Sequence, residues 1–134
     1  MSAFTGSAFH MLRCCRRSGR YDVEPARGLL DHIRQAASDA ISFVEGLSKE
    51  EFLEDRRTQQ AVVMSLIIIG EASTKIMDLH PDFTAVHVQI PWRGMRGMRN
   101  RIAHGYFDIN LDVVWDTIQS ALPDLLKRLP DSPA

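Results

Sequence analysis

Between Ala26 and Leu129 apolar residues recur at three-to-four spacing, and no stretch alternates residue by residue. That is the period of a helix, so the chain is expected to fold as an all-α bundle of four to five helices. The first runs from about Ala26 through Leu29, Leu30, Ile33, Ala37, Ala40, Ile41 and Val44, and Gly46 marks its end. Ser48-Lys49-Glu50-Glu51 has the form of a capping box and opens a second helix. After a kink or break near Asp55 to Thr58, a central helix carries Val62, Val63, Leu66, Ile67, Ile69, Ile76, Met77 and Leu79. It is apolar on nearly every side at Ile67-Ile68-Ile69, so neighbours or a second subunit must cover it.

His80-Pro81-Asp82 stops the central helix, and Phe83 to Pro91 reads as an irregular connection. Pro91-Trp92 opens a helix that carries arginines, and Gly105 is expected to close it in the left-handed conformation that glycine adopts without a Cβ clash. Asn110 is the expected N-cap of the last helix, whose apolar stripe runs from Leu111 to Leu129. Pro123 lies inside that stripe and predicts a bend near Ser120.

A chain of 134 residues is long enough to bury one core without disulfides, and about 25% charged residues fit a soluble globular domain. The domain is assigned to residues 25–130, with a tail at 131–134. Residues 1–24 read as a basic arm, disordered or non-native, because Arg13, Arg16, Arg17 and Arg20 have no acid among residues 1–20. The arm superficially resembles an organelle transit peptide, but a non-native leader or an upstream start before Met11 explains it more simply. Adjacent Cys14 and Cys15 are poorly placed to bridge one another. With no secretory leader and no apolar run of membrane length, the expected location is the cytoplasm, with no membrane partner.

Beyond residue 20 the chain holds 12 basic against 17 acidic side chains, yet Phe83 to Phe107 contains Arg93, Arg96, Arg99 and Arg101 and no carboxylate. A basic window on an acidic body predicts a focused anion site, with Arg96 and Arg101 as candidate anion-binding groups. At its end stands Arg99-Asn100-Arg101-Ile102-Ala103-His104-Gly105-Tyr106. Arginine offers a planar fork of donors to phosphate, histidine moves protons near neutral pH, and tyrosine adds a hydroxyl. These groups suit metal-free RNA cleavage by the 2′-hydroxyl, with His104 as general acid or base and Arg99 stabilising charge on phosphorus. No metal or cofactor is called for.

Five helical residues turn through about 500°, which sets Arg99 and His104 about 140° apart. They therefore do not share a face, and the site is expected to become complete across a two-fold homodimer in which both copies of His104 face one cleft. Asn100 lies one turn before His104 and could fix its tautomer. Plainer roles exist for each group: Arg99 pairing with Glu71, His104-Gly105 as a helix end, and Tyr106 as packing.

The segment Arg99 to Asp108 resembles the RX4HXY signature of HepT-type toxins, a branch of the HEPN superfamily. The likeness extends to Phe43-Val44-Glu45-Gly46-Leu47, Ile68-Ile69-Gly70-Glu71-Ala72 and Pro91-Trp92-Arg93, covering roughly residues 26–129. It implies a HEPN-like bundle that dimerises, a catalytic pair Arg99 and His104, and Glu71 as a supporting member of the central helix. It also implies an MntA-like nucleotidyltransferase antitoxin as partner, which transfers AMP from ATP to Tyr106 and so blocks RNA. The alternative is a non-catalytic HEPN module that recruits a nucleotidyltransferase or presents substrate to it; a third is a purely structural dimer.

Overall fold

The computed structural model describes residues 23–130, so the proposed basic arm up to Asp22 and the tail 131–134 lie outside the described residues. Every regular element among the described residues is helical: α1 (Val23–Phe43), α2 (Lys49–Glu54), α3 (Arg56–Leu79), α4 (Pro81–Val86), α5 (Trp92–His104), α6 (Leu111–Asp116) and α7 (Leu122–Arg128). A 3₁₀ turn (Tyr106–Asp108) follows α5, and a π-helical stretch (Thr117–Ala121) joins α6 to α7 in one rod. Helix α1 begins three residues earlier than its apolar period suggests.

Four long pieces, α1, α3, α5 and the α6–α7 rod, form the bundle around α3. Helix α1 lies along one side of α3, α5 along another, and α7 returns onto α1. Ala36, Ala37 and Ala40 of α1 are all but sealed from solvent, so the small face of that helix lets its backbone approach closely. Ile33, Val62, Leu66, Ile76 and Ile118 fill the centre.

The turn after α1 needs glycine, since Gly46 has φ +82. The capping box forms as expected: the Glu51 amide donates to Ser48 Oγ (3.2 Å) and the Ser48 amide donates to Glu51 Oε1 (3.0 Å). Phe52 of α2 is wholly buried and packs on Trp115 of α6 with ring centroids 5.4 Å apart. The break falls at Asp55, whose carboxylate accepts from the Thr58 amide (3.1 Å) and hydroxyl (2.6 Å) and so starts α3.

Three local expectations are corrected. The connection after α3 is only partly irregular, because Pro81–Val86 forms α4, with proline at its start where its lost N–H costs nothing. Gly105 is not left-handed: it sits at φ −129, ψ 42, and the chain continues from it into the 3₁₀ turn. Near Ser120 the helix widens into a π stretch instead of simply bending, with the Leu122 amide reaching back to the Thr117 carbonyl. One extra residue in that turn relieves the clash between the Pro123 ring and the preceding turn.

Candidate functional site

Helix α5 reaches the site because Trp92 anchors its first turn. The indole is buried, donates from Nε1 to the His87 carbonyl (3.0 Å) and packs edge-on against Phe83 of α4 at 6.1 Å. From there α5 crosses α3 in the opposite direction, since Arg96 meets Thr74 and Asp78 while Arg99 meets Glu71 and Thr74. Gly70 sets how close they come. A Cβ there would run into Cβ of Arg99 and stand 2.8 Å from the Met95 carbonyl oxygen, so any larger residue forces the helices apart.

That approach seats Arg99 over α3. Its Nη2 donates to Thr74 Oγ1 (3.2 Å), and its Nε lies 3.6 Å from Glu71 Oε2, an ion pair too long to be a hydrogen bond. The Nε atom is buried and has no hydrogen-bond partner. The plainer role for Arg99, pairing with Glu71, is therefore real but leaves one donor unspent. The guanidinium is thus held in place by Glu71 and Thr74, with the rest of its side chain half-buried against α3.

Arg96 is more fully engaged, donating to Asp78 Oδ1 (2.9 Å) with longer contacts to the Thr74 hydroxyl (3.4 Å) and carbonyl (3.5 Å). Its charge is thus largely answered within the chain. Arg101 is exposed and lines a groove on the other side of α5. The carboxylate-free window is therefore split: Arg96 and Arg99 turn toward acceptors on α3, and Arg101 faces away from them.

His104 ends α5 and is exposed, as the chain leaves the helix through Gly105, whose amide donates to the Arg101 carbonyl (2.9 Å). Asn100 sits one turn earlier and is half-buried, but no hydrogen bond joins it to His104. The 3₁₀ turn then presents two rings: Tyr106 is 51% exposed and Phe107 is 97% exposed, the rings meeting edge to face at 5.8 Å. Within one chain, then, the structure joins Arg99 to Glu71 and leaves His104 and Tyr106 open to whatever docks there.

Thr74, Asp78 and Gly70 take part in this arrangement and were not singled out as site residues. A signal existed, since Glu71, Thr74 and Asp78 recur on one face of α3 at the spacing at which Arg96 and Arg99 recur on α5. Thr74 is the hinge of the set: its hydroxyl donates to the Gly70 carbonyl (2.8 Å) while accepting from both arginines. Among the described residues no group of His, Cys, Asp and Glu could hold a metal ion, and no helix is long and apolar enough to cross a membrane.

Residues 33–131 match the family described as ribonuclease HepT-like. The chain is 40% identical over 96 residues to a protein of Thermococcus cleftensis named probable ribonuclease HepT, covering 72% of this chain and 84% of that one. It is 36% identical over 105 residues to a protein of Methanocaldococcus jannaschii named as a candidate RNase, covering 78% and 84% of the two chains. A further protein so named, from Caldanaerobacter subterraneus subsp. tengcongensis, is 37% identical over 109 residues, or 81% and 95%. No solved structure matches this chain significantly.

Proposed function

Given that the chain belongs to the HepT-like ribonuclease family of the HEPN superfamily, we propose that it is a metal-independent endoribonuclease toxin whose Tyr106 is the target of an inactivating adenylyl transfer. The observation that carries this reading is an exposed His104, with no side-chain partner among the described residues, at the end of the helix on which Glu71 and Thr74 hold the Arg99 guanidinium. Proton transfer and charge stabilisation are what cleavage by an RNA 2′-hydroxyl requires.

In this scheme the 2′-oxygen attacks the adjacent phosphorus and loses its proton to His104. The bond to the 5′-oxygen breaks, and that oxygen takes a proton from the partner copy's imidazole, leaving a 2′,3′-cyclic phosphate and a free 5′-hydroxyl. Arg99 sits on the non-bridging oxygens as their charge grows, with Glu71 and Thr74 holding the guanidinium. Two copies of His104 serve as base and acid, so the reading includes a two-fold dimer.

Regulation follows from Tyr106. Its ring is half exposed and its hydroxyl has no hydrogen-bond partner among the described residues, two residues beyond His104. A nucleotidyltransferase antitoxin would let the tyrosine oxygen attack the α-phosphorus of ATP, releasing pyrophosphate and the hydroxyl proton. The resulting adenylate brings bulk and negative charge to the anion site and excludes RNA.

The purified chain, free of partner, is expected to cleave RNA in the presence of a chelator and to lose that activity in His104→Ala. Undiminished cleavage by the variant overturns the assignment. Absence of cleavage by the unmodified protein favours instead a binding module that presents substrate to the transferase.

A further inference from the structure

A groove of about 370 Å³ opens between the last turns of α5 and the start of α6. Its walls are apolar, from Met98 and Ile102 on α5 and from Ile109 and Val114 opposite. Arg101, Asp108 and Asn110 stand among them. Arg101 and Asp108 line the same groove, yet no ion pair joins them and neither has another side-chain partner among the described residues. Among the described residues, then, a cation and a carboxylate border one apolar groove with their charges not spent on each other.

We propose that this groove is a nucleobase subsite that takes a guanine beside the scissile phosphate; the proposal rests on the ribonuclease reading. Its position fits, because Arg101 precedes His104 by three residues and the two are surface neighbours on α5, about 5–6 Å apart at Cβ. An RNA strand whose phosphate lies at His104 has the adjoining base only one sugar away. The base enters the slot and Arg101 meets the phosphate that it carries. Phe107, on the same 3₁₀ turn as Asp108, adds an open aromatic face of the kind on which bases stack.

The polar groups select the base. Asn110 Oδ1 is occupied by the amides of Asp112 (3.0 Å) and Val113 (3.3 Å), so only its Nδ2 donors remain for a ligand. Asp108 supplies two acceptor oxygens. Guanine presents two adjacent donors, N1–H and N2–H, next to the acceptor O6, matching a carboxylate and an amide that line one groove. Adenine, cytosine and uracil each lack a second adjacent donor on that edge, so they leave part of the carboxylate unanswered.

Two measurements on the full chain test this. In the first, guanosine monophosphate is titrated while the methyl resonances of Ile102, Ile109 and Val114 are followed by NMR. These should move with the guanine nucleotide and stay still with the adenine, cytosine and uracil nucleotides at equal concentration. In the second, oligoribonucleotides differing in one base beside the cut are compared, and kcat/KM should favour guanine by about tenfold or more. Asp108→Asn should bring that ratio close to one. Val113→Phe, which fills the groove from its exposed rim, should abolish the methyl shifts with Asp108 intact. Cleavage without base preference overturns the subsite and leaves the ribonuclease standing. Guanine-specific shifts without cleavage of any RNA do the reverse. Methyls that respond to protein concentration and not to nucleotide assign the groove to a contact between copies and overturn the proposal.

Discussion

The absence of one methyl group at Gly70 decides where Arg99 lies, because the Cβ of any other residue would occupy the space of the Arg99 stem and crowd the Met95 carbonyl. Gly70→Ala is expected to destabilise the fold by about 1–3 kcal/mol, the usual cost of overpacking a close contact. Chemical denaturation measures this, and RNA cleavage should fall with it as the guanidinium is displaced from Thr74. Thr74→Val isolates the same effect without steric strain. It removes the hydroxyl that accepts from Arg96 and Arg99, so cleavage should drop about tenfold, the scale of one charged hydrogen bond. Thr74→Ser should restore it, and the loss should appear in kcat more than in KM, because on the proposed mechanism Thr74 positions a group that acts on the developing charge. Arg99, His104 and Tyr106 stand out in the sequence as candidates because they fall within eight residues and are chemically distinctive. The pairing with Glu71 was legible too. Thr74 and Asp78 share a face with Glu71 in the sequence, but that spacing alone does not say which arginine each meets, since this depends on the register in which α5 docks on α3, which the missing methyl at Gly70 sets.

Among the elements, a helix start is legible where a side chain makes the cap. Ser48 and Asp55 cap through their own side chains, so the signal and the structure are the same few atoms. Pro81 carries two meanings, stopping α3 and pre-setting the first turn of α4, and only packing of Phe83 on His87 and Trp92 shows that the second applies. The widening before Pro123 was foreseen as a disturbance but not as a π stretch, because the choice between kink and insertion depends on keeping Ile118 and Leu122 in the core. The Asp55 cap has a measurable pH signature. Hydrogen bonds from the Thr58 hydroxyl and amide hold its carboxyl below the ordinary value of 3.8. The folded chain therefore takes up this proton less readily than the unfolded chain. The stabilisation is whole above that ordinary value and is lost as pH falls through the folded value. Thermal melts from neutral pH to about pH 3 should show wild type losing its advantage over Asp55→Asn as acid is added; parallel curves would show that the cap carries no pH-dependent stability.

At the scale of the whole molecule, the described residues leave an apolar strip of the bundle exposed on one side. The apolar run Ile67-Ile68-Ile69 calls for cover from a neighbour, and the described residues cover only part of it: Ile69 is buried, while Ile68 is 40% and Met64 is 56% exposed. Both follow Glu71 along α3 in the direction in which α5 runs toward His104, so an apolar strip leads to the end of the helix where the chemistry is placed. A second copy docked there would cover the strip and bring two imidazoles into one cleft. Ile68→Glu should accordingly yield a monomer in analytical ultracentrifugation and abolish cleavage while leaving the helical far-UV spectrum intact. A sharper test uses mixing. If each cleft needs both copies of His104, one as base and one as acid, a wild-type subunit paired with a His104→Ala subunit is inactive. Activity of co-refolded mixtures should then fall as the square of the wild-type fraction, because random pairing sets the number of intact clefts. A linear fall would mean that each subunit carries a whole site of its own, and the shared-cleft mechanism would have to be abandoned even if the chain proved to be a dimer.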